Sequence, residues 1–303
     1  MAEAFWRAVL TAELAIAAAI AWPINGAVAG SFWALLALWL GGFVLLQPLL
    51  VLLAFTLSRA AARTAPAPLH ARTVAMESIA LLTAALLMSL RRPPRMAPGG
   101  SPSGDARPTR TRRPPVLLVH GILCNGAIWG PLQRRLTAEG FDRLGVMDLQ
   151  PLLAGIEAHA ATLARTLHTM HEHSGEPIVI VAHSMGGLVA RAALRLSGPG
   201  VIGRIVTLGT PHHGTAIACR VPLQPTRQMC PDSLWLQQLN AEQEGSLAVP
   251  ITTIYSREDT LVAPPSSAEF TGARLIPLDG LGHLDLLASP RALERVLEEL
   301  RRD

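Results

Sequence analysis

The first 90 residues contain three stretches that lack the mixture of polar and apolar positions expected of a soluble element. Residues 32–57 (FWALLALWLGGFVLLQPLLVLLAFTL) carry no charge over 26 positions. That exceeds the roughly 20 apolar residues needed to cross the hydrocarbon core of a bilayer. They offer no polar face, which argues against an ordinary surface helix. Pro48 predicts a kink, and Trp33 and Trp39 suit an interface. Residues 4–22 form a second candidate span, interrupted by Arg7 and Glu13. Residues 74–90 form a third, shorter one that carries Glu77; it either spans or lies in the interface. A competing reading takes residues 1–29 as a cleaved signal peptide, with Arg7 as its charged start and Ala27-Val28-Ala29 as its cleavage site.

Residues 91–115 are rich in Pro, Gly, Ser and Arg and show no apolar period, which predicts a linker. From 116 onward the pattern changes. Short continuous apolar runs at 116–119, 144–149, 177–182, 204–208, 251–255 and 274–278 predict buried strands. Between and after them, 129–139, 157–173, 185–196 and 291–301 carry apolar positions at helical spacing. Buried strands alternating with helices predict an α/β domain, with a mainly parallel sheet covered by helices on both faces. The predicted organisation is therefore a membrane anchor (1–90), a linker (91–115) and an α/β domain (116–303).

Composition sharpens this division. Half of the residues are hydrophobic, and the mean hydropathy is +0.34. All 26 basic residues are arginine. Residues 1–115 hold 11 Arg against four acids, a net +7, and the remainder holds 15 against 18, a net −3. The high pI thus belongs to the N-terminal third. It favours an anionic membrane surface and argues against a nucleic-acid-binding domain. The Arg clusters at 58–73 and after 90 weakly favour a cytoplasm-facing C-terminal domain by the positive-inside rule. Three cysteines cannot form a disulfide scaffold.

The chemistry concentrates around Ala182-His183-Ser184-Met185-Gly186-Gly187, between a predicted strand and a predicted helix. A serine there, flanked by small residues, sits on a tight strand-to-helix turn. The N–H of Met185, at the helix start, can donate to an oxyanion. This segment resembles the nucleophile elbow of the α/β-hydrolase family, in its bacterial lipase and esterase branch, with Ala182 in place of the first Gly. Two further segments carry the resemblance: Val119-His120-Gly121-Ile122, and Leu208-Gly209-Thr210-Pro211-His212-His213-Gly214. It covers 116–303 and implies an α/β-hydrolase fold preceded by transmembrane helices. It also implies a second oxyanion donor at Ile122 and a triad in the order Ser, acid, His.

The acid is expected in the loop after the 251–255 strand. Asp259-Thr260-Leu261-Val262 matches the family's D-x-x-V pattern, with Glu258 as the neighbouring alternative. Asp279 and Asp285 fit less well. The base is expected after the last strand, at His283. Cys124 lacks the elbow context of a nucleophile. His159, His168, His171 and His173 lie on or near one helix without an acidic or cysteine cluster, so no metal is expected. Cys219 and Cys230 either pair or remain free thiols. Residues 211–248 form a possible lid, in which 232–241 is an amphipathic segment that contacts lipid or packs on the domain.

The expected function is a membrane-anchored serine hydrolase of carboxylic esters, acting on acyl lipids in the bacterial inner membrane. Ser184, His283 and Asp259 form the triad, and no cofactor is required. The expected partners are an ester or lipid substrate and the membrane, with no nucleic acid. The alternatives are a thioesterase or acyltransferase with the same triad, or a non-catalytic membrane-anchored binding or scaffold module.

Overall fold

Apolar runs of four to seven residues with no polar alternation can be buried on both faces only between two helix layers. In the computed structural model, which describes residues 1–28, 32–63, 68–90, 113–198 and 200–302, the first five occupy that position, whereas the last, at 274–277, is an edge strand and largely exposed rather than buried. The six described strands are β1 (Val116–Val119), β2 (Leu144–Met147), β3 (Ile178–His183), β4 (Ile202–Leu208), β5 (Ile251–Tyr255) and β6 (Arg274–Pro277). They form one sheet in the order β2-β1-β3-β4-β5-β6, and each adjacent pair is parallel. The strand order reverses direction around β1 and β3, the switch point at which parallel α/β sheets place their ligands.

Helices cover both faces. They are α4 (Gly130–Ala138), α5 (Ile156–Ser174), α6 (Met185–Ser197), α7 (Gln224–Gln228), α8 (Leu234–Gln243) and α9 (Pro290–Arg301). One core cluster joins α5 and α6 to the sheet through Leu163, Leu167, Ile180 and Leu188. The other lies under α4 and α9, through Leu118, Trp129, Leu132, Val206 and Leu297. α8 packs on the domain with Leu236 and Leu239 buried. It is strapped to α6 by Arg191, which is fully buried and donates to Gln243, Asn240 and the Leu239 carbonyl while lying 3.9 Å over the Phe270 ring. Burial pushes the Arg191 guanidinium down to about 9, against the opposing pull of Glu244.

The N-terminal third forms three helices: α1 (Ala2–Val28), α2 (Phe32–Ala62) and α3 (Ala71–Leu90). All three are long and apolar enough to cross a membrane. α1 and α2 run antiparallel. Trp39 Nε1 donates to the Leu14 carbonyl, and Gln47 donates to the Glu13 carboxylate at 3.1 Å. This last bond gives an ionisable group within an apolar helix a polar partner, as such a group requires in lipid. Away from the α/β domain the pair exposes a broad apolar face that includes Ile20, Trp22, Phe32, Trp33, Leu45 and Leu49.

α3 is placed differently. Thr73, Glu77, Ala80, Ala84 and Met88 are buried. Their spacing of three and four positions is that of one helical face, and Ala84 and Met88 join the core cluster of Leu118 and Trp129. α3 is therefore docked on the α/β domain. The proposed linker lies outside the described residues from 91 to 112, as does Ala29 of the signal-peptide cleavage site.

Candidate active site

The turn from β3 to α6 forms because small residues let three backbone segments converge. A Cβ at Gly186 would lie 2.5 Å from the Val119 carbonyl oxygen and 2.6 Å from that of His120. A Cβ at Gly187 would lie 2.1 Å from Thr210 Oγ1. Neither position tolerates a side chain without moving backbone or a buried neighbour. Between β3 and this close contact, Ser184 adopts φ 55° and ψ −129°. That strained conformation is rare for a residue with a Cβ and characteristic of functional turns. Thr210 Oγ1 donates to the Ser184 carbonyl at 2.9 Å, and the Gly187 N–H donates to the same oxygen at 3.0 Å. The Ser184 side chain lies at the carboxyl end of the sheet, where only 9% of the residue is exposed.

Asp259 and His283 meet within hydrogen-bonding distance, and both are almost fully buried. His283 Nδ1 lies 2.8 Å from Asp259 Oδ2 and 3.0 Å from Oδ1. The carboxylate also accepts the N–H groups of Leu261 and Val262, each at 2.8 Å. An acceptor-only carboxylate requires the proton on Nδ1, so Nε2 carries a free lone pair. Burial disfavours the imidazolium, but the Asp259 charge and hydrogen bond, helped by Glu77, outweigh it and raise the His283 pKa above its ordinary value. Gly209, at φ +54°, gives the pair room; a Cβ there would lie 3.1 Å from Asp259 Oδ2 and 3.2 Å from His283 Nδ1. Ser184 Oγ makes no hydrogen bond among the described residues, a contact that often tightens only when substrate is bound.

Ile122 and Met185 flank the serine. Their N–H groups have no hydrogen-bond partner among the described residues. The loop that carries Ile122 is fixed by His120, which is fully buried. Its Nδ1 donates to the Gly121 carbonyl at 2.9 Å, and its Nε2 accepts the Leu149 N–H at 3.1 Å. His183 donates from Nε2 to the His283 carbonyl at 3.1 Å. Burial, followed by the neighbouring His283, pushes its pKa well down, so it stays neutral.

The remaining candidates take other places. Glu258 points away from His283 and binds His70 and Thr73 at the start of α3. Asp279 pairs with Arg257 at the surface. Asp285 is buried two residues after His283 and is faced by the charges of Arg72 and Arg291. Cys124 is buried, and desolvation raises its thiol to about 12, which removes it as a nucleophile. Cys219 and Cys230 are joined in a disulfide. Among the described residues no group of three or more His, Cys, Asp or Glu could hold a metal. Two surface hollows, one lined by Arg195, Glu242 and Ser246 and the other by Arg227, Gln228 and Trp235, do not include Ser184.

No contact between the N-terminal helices and the site is predicted from the sequence, yet they bond to three of its loops. Trp6 Nε1 donates to the Leu123 carbonyl at 2.6 Å, and Asn125 Nδ2 donates to the Met88 carbonyl at 3.0 Å. Ser58 Oγ donates to the Thr260 carbonyl, and Arg59 Nη2 to those of Arg257 and Asp259. Glu77 accepts from Thr260 Oγ1 and from the N–H groups of Leu284 and Asp285. The one available signal was Glu77 itself, a lone acid in an apolar stretch, which by default marks a functional position.

Residues 147–260 match the family described as PGAP1-like alpha/beta domain. Over 82 residues the chain is 37% identical to a pimeloyl-[acyl-carrier protein] methyl ester esterase of Vibrio vulnificus, covering 27% of this chain and 31% of that protein. The chain thus spans about a third of the length of the curated relatives it matches. Among solved structures, the mature lipase BlEst2 of Bacillus licheniformis superposes with a TM-score of 0.58 at 16% identity, covering 65% of this chain and 96% of the lipase. Lipase B of Aspergillus fumigatus gives 0.58 at 15% identity, covering 82% and 85%. At these identities the structural likeness concerns the fold.

Proposed function

We propose that this member of the α/β-hydrolase superfamily is a membrane-anchored serine hydrolase that cleaves the carboxylic esters of acyl lipids. The observation that carries this reading is the buried Asp259–His283 pair, with Nδ1 bonded to the carboxylate, together with a serine on a strained elbow whose preceding residue, His183, bonds the His283 carbonyl. A scaffold module has no need of either.

The geometry supports a double-displacement route. Ser184 Oγ attacks the ester carbonyl carbon while His283 Nε2 takes its proton. The carbonyl oxygen becomes an oxyanion and accepts the N–H groups of Ile122 and Met185. Asp259 holds the imidazole and stabilises its charged form. Collapse breaks the bond to the alcohol oxygen, which leaves with the proton from Nε2. Water then attacks the acyl-enzyme, giving its proton to His283 and releasing the acid as the serine oxygen is reprotonated. The cycle needs no cofactor.

The lipid assignment rests on the exposed apolar face of α1 and α2. By the usual 1.5 Å rise, helices of this length extend about 40 Å or more, enough for a bilayer core of about 30 Å. The anchor is a pair of helices whose ends near the α/β domain carry Arg7 and Arg59, and residues 14–58 between these ends carry no charge. Arginine placement favours the cytoplasmic side, whereas the Cys219–Cys230 disulfide favours an oxidising compartment. We place the domain on the oxidising side. Thiol labelling of intact cells should then modify Cys219 and Cys230 only after reduction, and labelling without reductant would return the domain to the cytoplasm.

Turnover of p-nitrophenyl esters of rising chain length by the detergent-purified chain tests the activity. Wild type should prefer long acyl chains, and Ser184→Ala should lose at least about 10⁴-fold in kcat. Equal turnover by wild type and variant would sink the hydrolase reading. A preference for short chains would leave an esterase without a lipid role, and a preference for thioesters would favour the thioesterase alternative.

A further inference from the structure

The triad reading leaves Glu77 unused. It is a carboxylate on an apolar helix, only 4% exposed and some 200 residues away in sequence from the groups it binds. Its two oxygens are occupied by donors from two loops. Oε1 accepts Thr260 Oγ1 at 3.0 Å, one residue beyond Asp259. Oε1 and Oε2 accept the Leu284 N–H at 3.0 Å, and Oε2 accepts the Asp285 N–H at 2.8 Å, the two residues beyond His283. Each partner donates, so the side chain serves only as an acceptor. The site is built around it: a Cβ at Gly282 would lie 2.3 Å from Glu77 Oε2. The residue before the base must therefore be glycine for the carboxylate to reach the loop.

We propose that Glu77 is a positioning residue for ester hydrolysis, clamping the acid loop to the base loop and so making α3 part of the active site. The inference rests on the serine-hydrolase reading and extends it. His283 and Asp259 lie on separate loops after β5 and β6, and neither β-strand fixes their separation on its own. Misplacement of a base by about 1 Å is enough to cost roughly 100-fold in rate. The same carboxylate faces the imidazole from α3, as Asp259 does from the acid loop and neutral His183 from β3. Asp285 follows the base and is itself faced by Arg72 and Arg291, while Arg59 of α2 lies near Asp259.

The test compares the full-length wild type with Glu77→Gln and Glu77→Ala in detergent, by steady-state ester kinetics across pH and by NMR titration of the histidine imidazoles. Glutamine can keep the clamp, its oxygen accepting the two N–H groups and its amide donating to the Thr260 hydroxyl, but it carries no charge. Its kcat should stay within about fivefold of wild type, while the pH at which activity rises and the His283 titration both move down. Alanine should show the same downward move and lose about 100-fold in kcat with KM within roughly twofold. A wild-type kcat for Ala, or an unmoved His283 titration in both variants, overturns the proposal. Should Ala fail to fold, Gly282→Ala displaces the carboxylate while leaving it in the chain, and a wild-type kcat there overturns the proposal equally. Inactive wild type would instead sink the hydrolase reading, and the imidazole titration, which needs no substrate, would still decide the role of Glu77.

Discussion

The serine elbow and the Asp259–His283 pair are built by opposite means. Ser184 owes its geometry to close backbone approaches within the sheet domain, where Gly186 and Gly187 pack against the ends of β1 and the Thr210 segment. Asp259 and His283 sit on loops braced by α2 and α3, and the loop after β1 is braced by α1 and α3, from partners 37 to 208 residues away in sequence. The contrast separates two kinds of constraint. The elbow is a steric device that two missing side chains permit. The loops are a hydrogen-bonded device that a second layer of structure supplies.

Breaking the elbow should have the larger effect. Gly186→Ala must push apart the backbone of β1 and α6, so it should abolish turnover by more than about 10³-fold and lower stability by roughly 3 kcal/mol. Calorimetry and ester kinetics on the same preparation check both. A variant with near wild-type activity would mean that the close approach is not what shapes the serine.

Breaking one brace should be milder. Asn125 donates to the Met88 carbonyl and accepts the Ala127 N–H, linking the loop after β1 to α3. Asn125→Ala should cost about 1–2 kcal/mol and reduce kcat several-fold, since buried partners are left unpaired. Thermal unfolding followed by circular dichroism measures the first, and the rate on a long-chain ester the second. No change in either would show that α3 only rests on this loop.

The smallest effect should depend on pH. Burial opposes charge on Glu258, but the hydrogen bonds from Thr73 and His70 outweigh it and lower its pKa below the ordinary 4.5. A carboxylate with a depressed folded-state pKa stabilises the fold above its unfolded value and loses that contribution as pH falls through its folded value. The melting-temperature gap between wild type and Glu258→Gln should therefore be full above about pH 5 and close progressively below 4.5. A gap that stays constant with pH would mean the pair contributes through packing alone.

The same contrast explains what the sequence disclosed. The strands, the long helices and the elbow were legible because local composition encodes them. Short apolar runs of four to seven residues mark the strands, and a serine between small residues after such a run marks the turn. Asp259 and His283 were legible by their order and place after β5 and β6, and the structure brings them within hydrogen-bonding distance. The bracing was not legible. Glu77 looked like a flaw in a membrane span because no local pattern records a partner 207 residues away. For 211–248 the pattern left a lid and a packed helix both open; α8 in that segment packs on α6, and Thr215 and Ala216 bond to Leu261 and Ala263 of the acid loop, alongside the contacts from α2 and α3.

The most direct test of the account is to treat the detergent-purified full chain with a fluorophosphonate and map the adduct by mass spectrometry of its peptides. The account predicts one adduct, on the peptide that carries Ser184, lost on prior heat denaturation and absent from Ser184→Ala. A folded wild type that takes no label, or that takes it on another residue, would contradict it.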